Sequence, residues 1–282
     1  MADVHGRPVL VTGATGNVGG EVIGLLTAAG APVRAFVRSL ESPLPPGVER
    51  AIGDLDEPAT VAAALAGVRA VFLLPGYRDM PGLLAQVRGA GVDRVVLLST
   101  TAAASGDTTN AITEFMVRSE AAVRAAGVPW TILRPTGFMS NSLRWRPQLR
   151  AGDIVRVPFA EVAIASIDPH DIAAVAVAAL VSPGPGDRIH TLTGPQALRP
   201  ADQVEVLADV LGRPLRLQAQ PADEAWTEMR RTMPERYVQA FFRYYRDGEL
   251  DESRVLPTVQ KVTGKAPRTF RDWAVAHTDA FT

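Results

Sequence analysis

The first stretch of this chain with chemical potential is Thr12-Gly13-Ala14-Thr15-Gly16-Asn17-Val18-Gly19, which follows the β-branched run Val9 to Val11 and opens a helical pattern. Glycine at 13 permits a tight turn, glycine at 16 lets backbone approach a pyrophosphate, and glycine at 19 lets helix pack on strand. A helix start also offers free N–H groups and a positive dipole end to phosphates. Glycine triplets serve plain tight turns too, but this one has the strand–loop–helix setting that dinucleotide binding requires. Gly13, Thr15, Gly16, Asn17 and Val18 therefore form the candidate phosphate cradle.

Other residues fall where such a ligand would extend. Arg38 follows the second β-branched run; an acidic residue there would hold a ribose 2′-hydroxyl, whereas an arginine accommodates a 2′-phosphate. NADP is thus expected over NAD, the plain alternative being a solvated arginine in an arginine-rich chain. Asp54 and Leu55 close the third run, where a carboxylate can accept from an adenine amino group or simply cap a helix. Leu74-Pro75-Gly76 ends the fourth run, either for close backbone approach to the cofactor or as an ordinary turn. Ser99 and Thr100 end the fifth run, with hydroxyls suited to a nicotinamide ribose or to capping a strand. Pro135 and Phe138 follow the sixth, where they line a nicotinamide or substrate pocket or merely pack.

Composition narrows the alternatives. With 282 residues, the chain is long enough for one large domain, or one domain with a smaller lobe. A formal charge of -1 supplies no field for nucleic acid or anionic lipid, so neither is an expected partner. The absence of cysteine excludes disulfides, thiolate metal sites and a cysteine nucleophile. Histidines 5, 170, 190 and 277 lack ligand spacing, and no metal is expected. Apolar stretches such as Ile172 to Val181 are too short to span a bilayer, and no secretory signal is evident, so a cytoplasmic protein is the default expectation. Arg144-Trp145-Arg146, with Arg150 and Arg156, reads as a solvated run that could alternatively clamp an acidic ligand. His170-Asp171 reads as structural, at a helix start capped by Asp168.

The elements that must position these residues alternate. β-Branched runs at Val9 to Val11, Val33 to Val37, Val48 to Ile52, Ala70 to Leu74, Val95 to Leu98 and Trp130 to Leu133 are separated by helical stretches. Four of those stretches end on Gly30, Gly67, Gly91 and Gly127, where a glycine cap is expected. Continuous apolar strands imply a sheet covered on both faces, hence an α/β class with a doubly wound parallel sheet. Residues 1–134 are expected as the Rossmann domain and 135–282 as a smaller α+β lobe over the sheet's C-terminal edge, the alternative being a lobe interleaved with the sheet as one structural unit. In that lobe the pattern predicts a loop from Phe138 to Pro158, a strand at Ala163 to Ile167, a helix at Ile172 to Leu180, a strand at Arg188 to Leu192, a helix at Pro200 to Leu211 and a strand at Leu215 to Gln218. The aromatics from Tyr237 to Tyr245 recur at helical spacing and read as core, with a substrate lid as the alternative.

The glycine loop, Gly53-Asp54-Leu55, Leu98-Ser99-Thr100-Thr101, Thr131 to Asn141, Asp168 to Ala173 and Leu192-Thr193-Gly194-Pro195 together resemble the NmrA-like branch of the atypical short-chain dehydrogenase/reductase superfamily. The resemblance covers nearly the whole chain and implies an NAD(P)-binding Rossmann domain whose small lobe forms a substrate cleft. Such families include quinone, dye and isoflavone-type reductases, and regulators that bind dinucleotide without turnover. Catalytic members of the wider superfamily use a Ser or Thr after the fifth strand and Tyr-x-x-x-Lys on the next helix. Thr101 falls at the Ser/Thr position and is the catalytic candidate. Ile112 falls at the tyrosine position and Met116 at the lysine position. No lysine precedes Lys261, and Tyr77 is the one tyrosine in the first half, so no shifted alignment restores the pair.

Without that pair, the acceptors that need least acid help are those whose reduced form is a stabilised anion. The leading expectation is NAD(P)H-dependent reduction of a small hydrophobic acceptor, quinonoid, enone or aromatic. Two alternatives stand beside it: a dinucleotide-sensing regulator with a protein partner, and a redox-neutral cyclase or epimerase on the same fold.

Overall fold

The structure is a computed structural model describing residues 6–181 and 186–281. In chain order, β1 (Val9–Val11), α1 (Asn17–Ala28), β2 (Val33–Val37), β3 (Glu49–Ile52), α2 (Pro58–Leu65), β4 (Ala70–Leu73), α3 (Met80–Gly89), β5 (Arg94–Leu98), α4 (Ala111–Ala125) and β6 (Trp130–Pro135) alternate. Then follow α5 (Arg146–Ala151), β7 (Ile154–Val157), α6 (Pro169–Val181), β8 (Arg188–Leu192), α7 (Pro200–Leu211), β9 (Arg216–Ala219), α8 (Ala222–Met229), α9 (Glu235–Phe241), α10 (Thr258–Thr263) and α11 (Phe270–Ala276).

Seven parallel strands form one sheet in the order β3-β2-β1-β4-β5-β6-β8. Successive strand side chains point to opposite faces, and the core divides accordingly. Val9, Val11, Phe72, Val96 and Leu133 join α1 and α6 on one face, while Leu10, Val71, Leu73, Val95, Leu97 and Ile132 join α2, α3 and α4 on the other. The order reverses between β1 and β4, which opens a crevice at the strands' C-terminal ends. The four expected caps hold: Gly30, Gly67, Gly91 and Gly127 take φ between 68° and 71°, a region costly to a side chain.

The second half does more than form a lobe. β8 completes the sheet beside β6, and α6 covers it against α1. The lobe has its own core of Trp145, Leu149, Val155, Val157, Leu207, Phe270 and Trp273.

Several local expectations need correction. The run at Val48 to Ile52 is an edge strand, largely exposed, because among the described residues only β2 pairs with it. Ala163 to Ile167 is no strand; it makes single bridges, Ile164 to Leu198 and Phe138 to Ile167, that tie two loops together. The expected loop from Phe138 to Pro158 contains a 3-10 turn at Met139–Trp145, α5 and β7. β7 alternates exposed and buried residues and pairs in parallel with β9 in a separate two-stranded sheet. The aromatic segment after α9 continues as a π-helical turn, Phe242–Arg246. Among the described residues no helix is long and apolar enough to cross a membrane.

Candidate active site

At Gly13 and Gly19 the glycine loop has a shape that a side chain would destroy. Gly13 sits at φ 61°, and a Cβ there would stand 2.4 Å from Leu74 Cδ1. A Cβ on Gly19 would stand 2.1 Å from the Gly13 carbonyl oxygen, so helix and loop touch backbone to backbone. Thr12 fixes the loop to the end of β4: its hydroxyl donates to Phe72 O at 3.1 Å and accepts from Leu74 N–H at 2.9 Å. Gly16 is the N-cap of α1, and no side chain caps that helix end. Thr15, Gly16 and Asn17 are exposed, and Val18 is buried beneath them. This is an open backbone cradle at a helix N-terminus, and it fits a pyrophosphate.

The flanking candidates divide between surface and core. Arg38 is exposed at the end of β2 and has no ion-pair partner among the described residues. Asp54 is exposed, its carboxylate accepting from Asp56 N–H at 2.9 Å, whereas the Leu55 side chain is buried in the core. Tyr77 bonds to Thr12, and burial lifts its hydroxyl above the usual tyrosine value. Gly76 takes φ 91°, and its Cβ would stand 1.7 Å from Phe115 Cζ. Its N–H donates to Ser119 Oγ at 3.1 Å, so close seating on α4 by itself requires glycine here.

Beyond the cradle, the C-terminal ends of β4, β5 and β6 open into a cavity of about 340 Å³. Pro75, Leu98, Ile112, Met116, Phe138 and Phe241 supply its carbon wall; Thr100, Thr136, Asn141, Tyr244, Tyr245 and Glu252 are among its polar members. One hydrogen bond ties the cradle to the edge of the cavity. Asn17 Nδ2 donates to Ser140 Oγ at 3.1 Å, next to the cavity residue Asn141. Ser99 also borders the cavity, but its hydroxyl donates to Glu120 Oε1 at 2.7 Å. Glu120 is fully buried on α4 and is held by Arg134 at 2.6 and 2.8 Å and by Arg124 at 2.7 Å. Two guanidiniums and a hydroxyl offset the cost of burying that carboxylate and lock α4 to β6.

Thr101 leads away from the wall to a partner that sequence reasoning missed. Its hydroxyl donates to Glu252 Oε1 at 2.5 Å, and the Tyr245 hydroxyl donates to Glu252 Oε2 at 3.1 Å. The Gly137 N–H bonds the same carboxyl, and burial lifts its pKa above the usual carboxylate range. Burial also pushes the Tyr245 hydroxyl up, beside Glu252. Tyr244 shares a hydrogen bond of 2.7 Å with Thr113 on α4. The π-helical turn therefore brings Tyr244 and Tyr245 to the cavity beside Phe241 at the end of α9, and the expectation of plain core for these aromatics is corrected at those three positions. The usable signal was the pairing of aromatics with an acidic loop, Glu249-Leu250-Asp251-Glu252.

The arginine run scatters. Arg156 pairs with Glu224 at 2.5 Å, and Arg150 is exposed. Arg144 lies close enough to favour the ionised Tyr245, and its Nε donates to Asn141 O at 2.7 Å. His170 pairs with Glu21 at 2.8 Å, and Asp168 accepts from His170 N–H at 2.8 Å. No group of three or more His, Asp or Glu among the described residues could hold a metal ion.

Comparison with known proteins adds to this geometry. A family model described as NAD(P)H-binding matches residues 13–183. A (4-alkanoyl-5-oxo-2,5-dihydrofuran-3-yl)methyl phosphate reductase of Streptomyces griseus is 41% identical over 279 residues, covering 97% of this chain and 99% of that protein. An NAD(P)H azoreductase of Xenophilus azovorans is 38% identical over 285 residues, covering 97% and 99%. The NADPH complex of an NADPH-dependent quinone oxidoreductase from Escherichia coli superposes with a TM-score of 0.77 at 20% identity, covering 96% and 99%.

Proposed function

Because this chain belongs to the NAD(P)H-binding family, as an NmrA-like atypical short-chain dehydrogenase/reductase, we propose that it is an NADPH-dependent reductase of a small, flat, conjugated acceptor: an enone, a quinone or an electron-poor aromatic. The observation that carries this reading is the cavity wall, where Ile112 and Met116 present carbon and sulfur in place of the Tyr/Lys pair. When bound, the reduced dinucleotide supplies a hydride to the acceptor.

The chain's own residues bind, orient and exclude water. Gly13, Thr15, Gly16 and Asn17 form the cradle suited to the pyrophosphate, and Arg38 is free to meet a 2′-phosphate. Leu98, Ile112, Met116, Phe138 and Phe241 give the acceptor an apolar seat beside it. At about 340 Å³ the cavity lies at the small end of ligand pockets, roughly 300–1,000 Å³, and suits one or two rings. Of the two relatives, one is named for a dihydrofuran bearing an oxo group and the other for azo reduction. In the first the ring double bond is conjugated with a carbonyl; in an azo acceptor it is conjugated with aromatic rings. Both leave a delocalised anion after hydride addition, which is what a site lacking the Tyr/Lys pair can manage.

The test is NADPH oxidation against a panel of unsaturated lactones, quinones and azo dyes. Turnover of at least one class, with saturated ketones inert, is the expected result. Tight NADPH binding with silence across the whole panel would overturn the reductase reading in favour of a sensor.

A further inference from the structure

Reduction of a conjugated acceptor leaves one proton unassigned, and the carbon of Ile112 and Met116 cannot supply it. We propose that Glu252 is the acid of this cavity: its carboxyl, held by Thr101 and Tyr245, protonates the anion that forms on the reduced acceptor. The proposal rests on the reductase reading above.

A contrast between two buried glutamates carries it. Glu120 and Glu252 are only 1% and 5% exposed. Glu120 has two arginines on its oxygens and is not among the residues that line this cavity. Glu252 lines the cavity and has no ion-pair partner among the described residues. A carboxylate taken out of water without a cation is costly, and the neutral acid is the form that burial favours. The charged and titratable groups around it do not reverse this. Asp251 is its acidic chain neighbour; Tyr244 and Tyr245 are both held neutral by burial; Arg144 acts on Tyr245. Three donors hold the carboxyl in place, from the loop after β5 (Thr101), the π-helical turn (Tyr245) and the loop after β6 (Gly137). These bonds favour the ionised form, yet burial outweighs them in the direction of the shift.

The step balances. After hydride addition the acceptor's π bond has opened and an anion stands on its oxygen or nitrogen. The Glu252 O–H bond breaks, the new O–H or N–H bond forms, and the carboxylate regains a proton from water. Because the acid must be protonated to act, the rate falls as pH rises through its folded-state pKa.

Two readouts test this with separate failures. Infrared difference spectra of wild type against Glu252→Gln, both ligand-free at pH 7, should show a neutral-carboxyl C=O stretch that the variant lacks. Absence of that band would overturn the proposal whether or not any acceptor is known. With an acceptor from the panel, Glu252→Gln should lose about 10²–10⁴-fold in kcat, with NADPH affinity and Tm retained. Glu252→Asp should recover part of the rate with a displaced pH profile. An unchanged rate and profile in Glu252→Gln would also overturn the proposal. A wild type that reduces nothing counts against the reductase reading, while the infrared band still decides where the proton is stored.

Discussion

Replacing Gly16 by aspartate should separate the fold from the ligand, because the two respond with opposite signs. Gly16 has φ -88° and ψ 171°, an extended conformation open to any residue, and it is the N-cap of a helix with no side-chain cap. A Cβ there would stand 3.2 Å from Gly13 O, which a shift of a few tenths of an ångström relieves. Aspartate is a preferred N-cap residue and favours the helix dipole by about 0.3–1 kcal/mol, so Tm should hold or rise. The same carboxylate would face the pyrophosphate. Two unit charges about 4 Å apart repel by about 1 kcal/mol in water and about 4 kcal/mol at an effective dielectric of 20. That brackets a loss of NADPH affinity between about fivefold and a thousandfold. Fluorescence titration with NADPH, run beside thermal denaturation of both proteins, reads the two effects independently. Equal affinity in wild type and variant would falsify the cradle assignment; a collapsed Tm would show that the loop serves only the fold.

Three further outcomes are expected. Arg38→Ala should weaken NADPH binding and leave NADH nearly unchanged, since only the 2′-phosphate distinguishes them; equal weakening would mean that Arg38 merely packs on the adenosine. Met116→Leu, close to volume-conserving, should keep both Tm and the reduction rate within a few-fold, and a rate lost with its pH profile altered would place proton chemistry on α4 after all. Gly76→Ala should lower stability by about 1–3 kcal/mol or more, because φ is 91° and Phe115 fills the space; a neutral change in Tm would refute the packing account of that glycine.

How much of this was legible in the sequence depended on how local the signal was. Gly30, Gly67, Gly91 and Gly127 were readable as caps because a left-handed residue after a helix is a one-residue property. The cradle was readable because strand, loop and helix are contiguous. Gly76 had an undecided meaning because its reason, Phe115, lies on a helix 39 positions on. β7 and β9 lie about 60 residues apart, and neither has a periodic signature strong enough to reveal their pairing. Glu252 was invisible for the same reason: Thr101 lies 151 positions away, and only the closed fold makes them neighbours. The helical spacing of Tyr237 to Tyr245 pointed to core correctly for Phe242. It missed the π-helical turn, where five-residue bonding changes which side chains share a face.

That separation has a kinetic consequence. Closing a loop of such length costs entropy before the Thr101–Glu252 contact returns anything, so the contact forms only after the sheet and the C-terminal segment are both in place. The turn fixed by Thr12, by contrast, takes its hydrogen bonds from residues no later than Leu74, which leave the ribosome early. A nascent chain therefore acquires its nucleotide-shaped turn well before it owns an acid or a closed pocket. In refolding experiments, amide protection around Thr12 to Val22 should precede protection around residues 244–252.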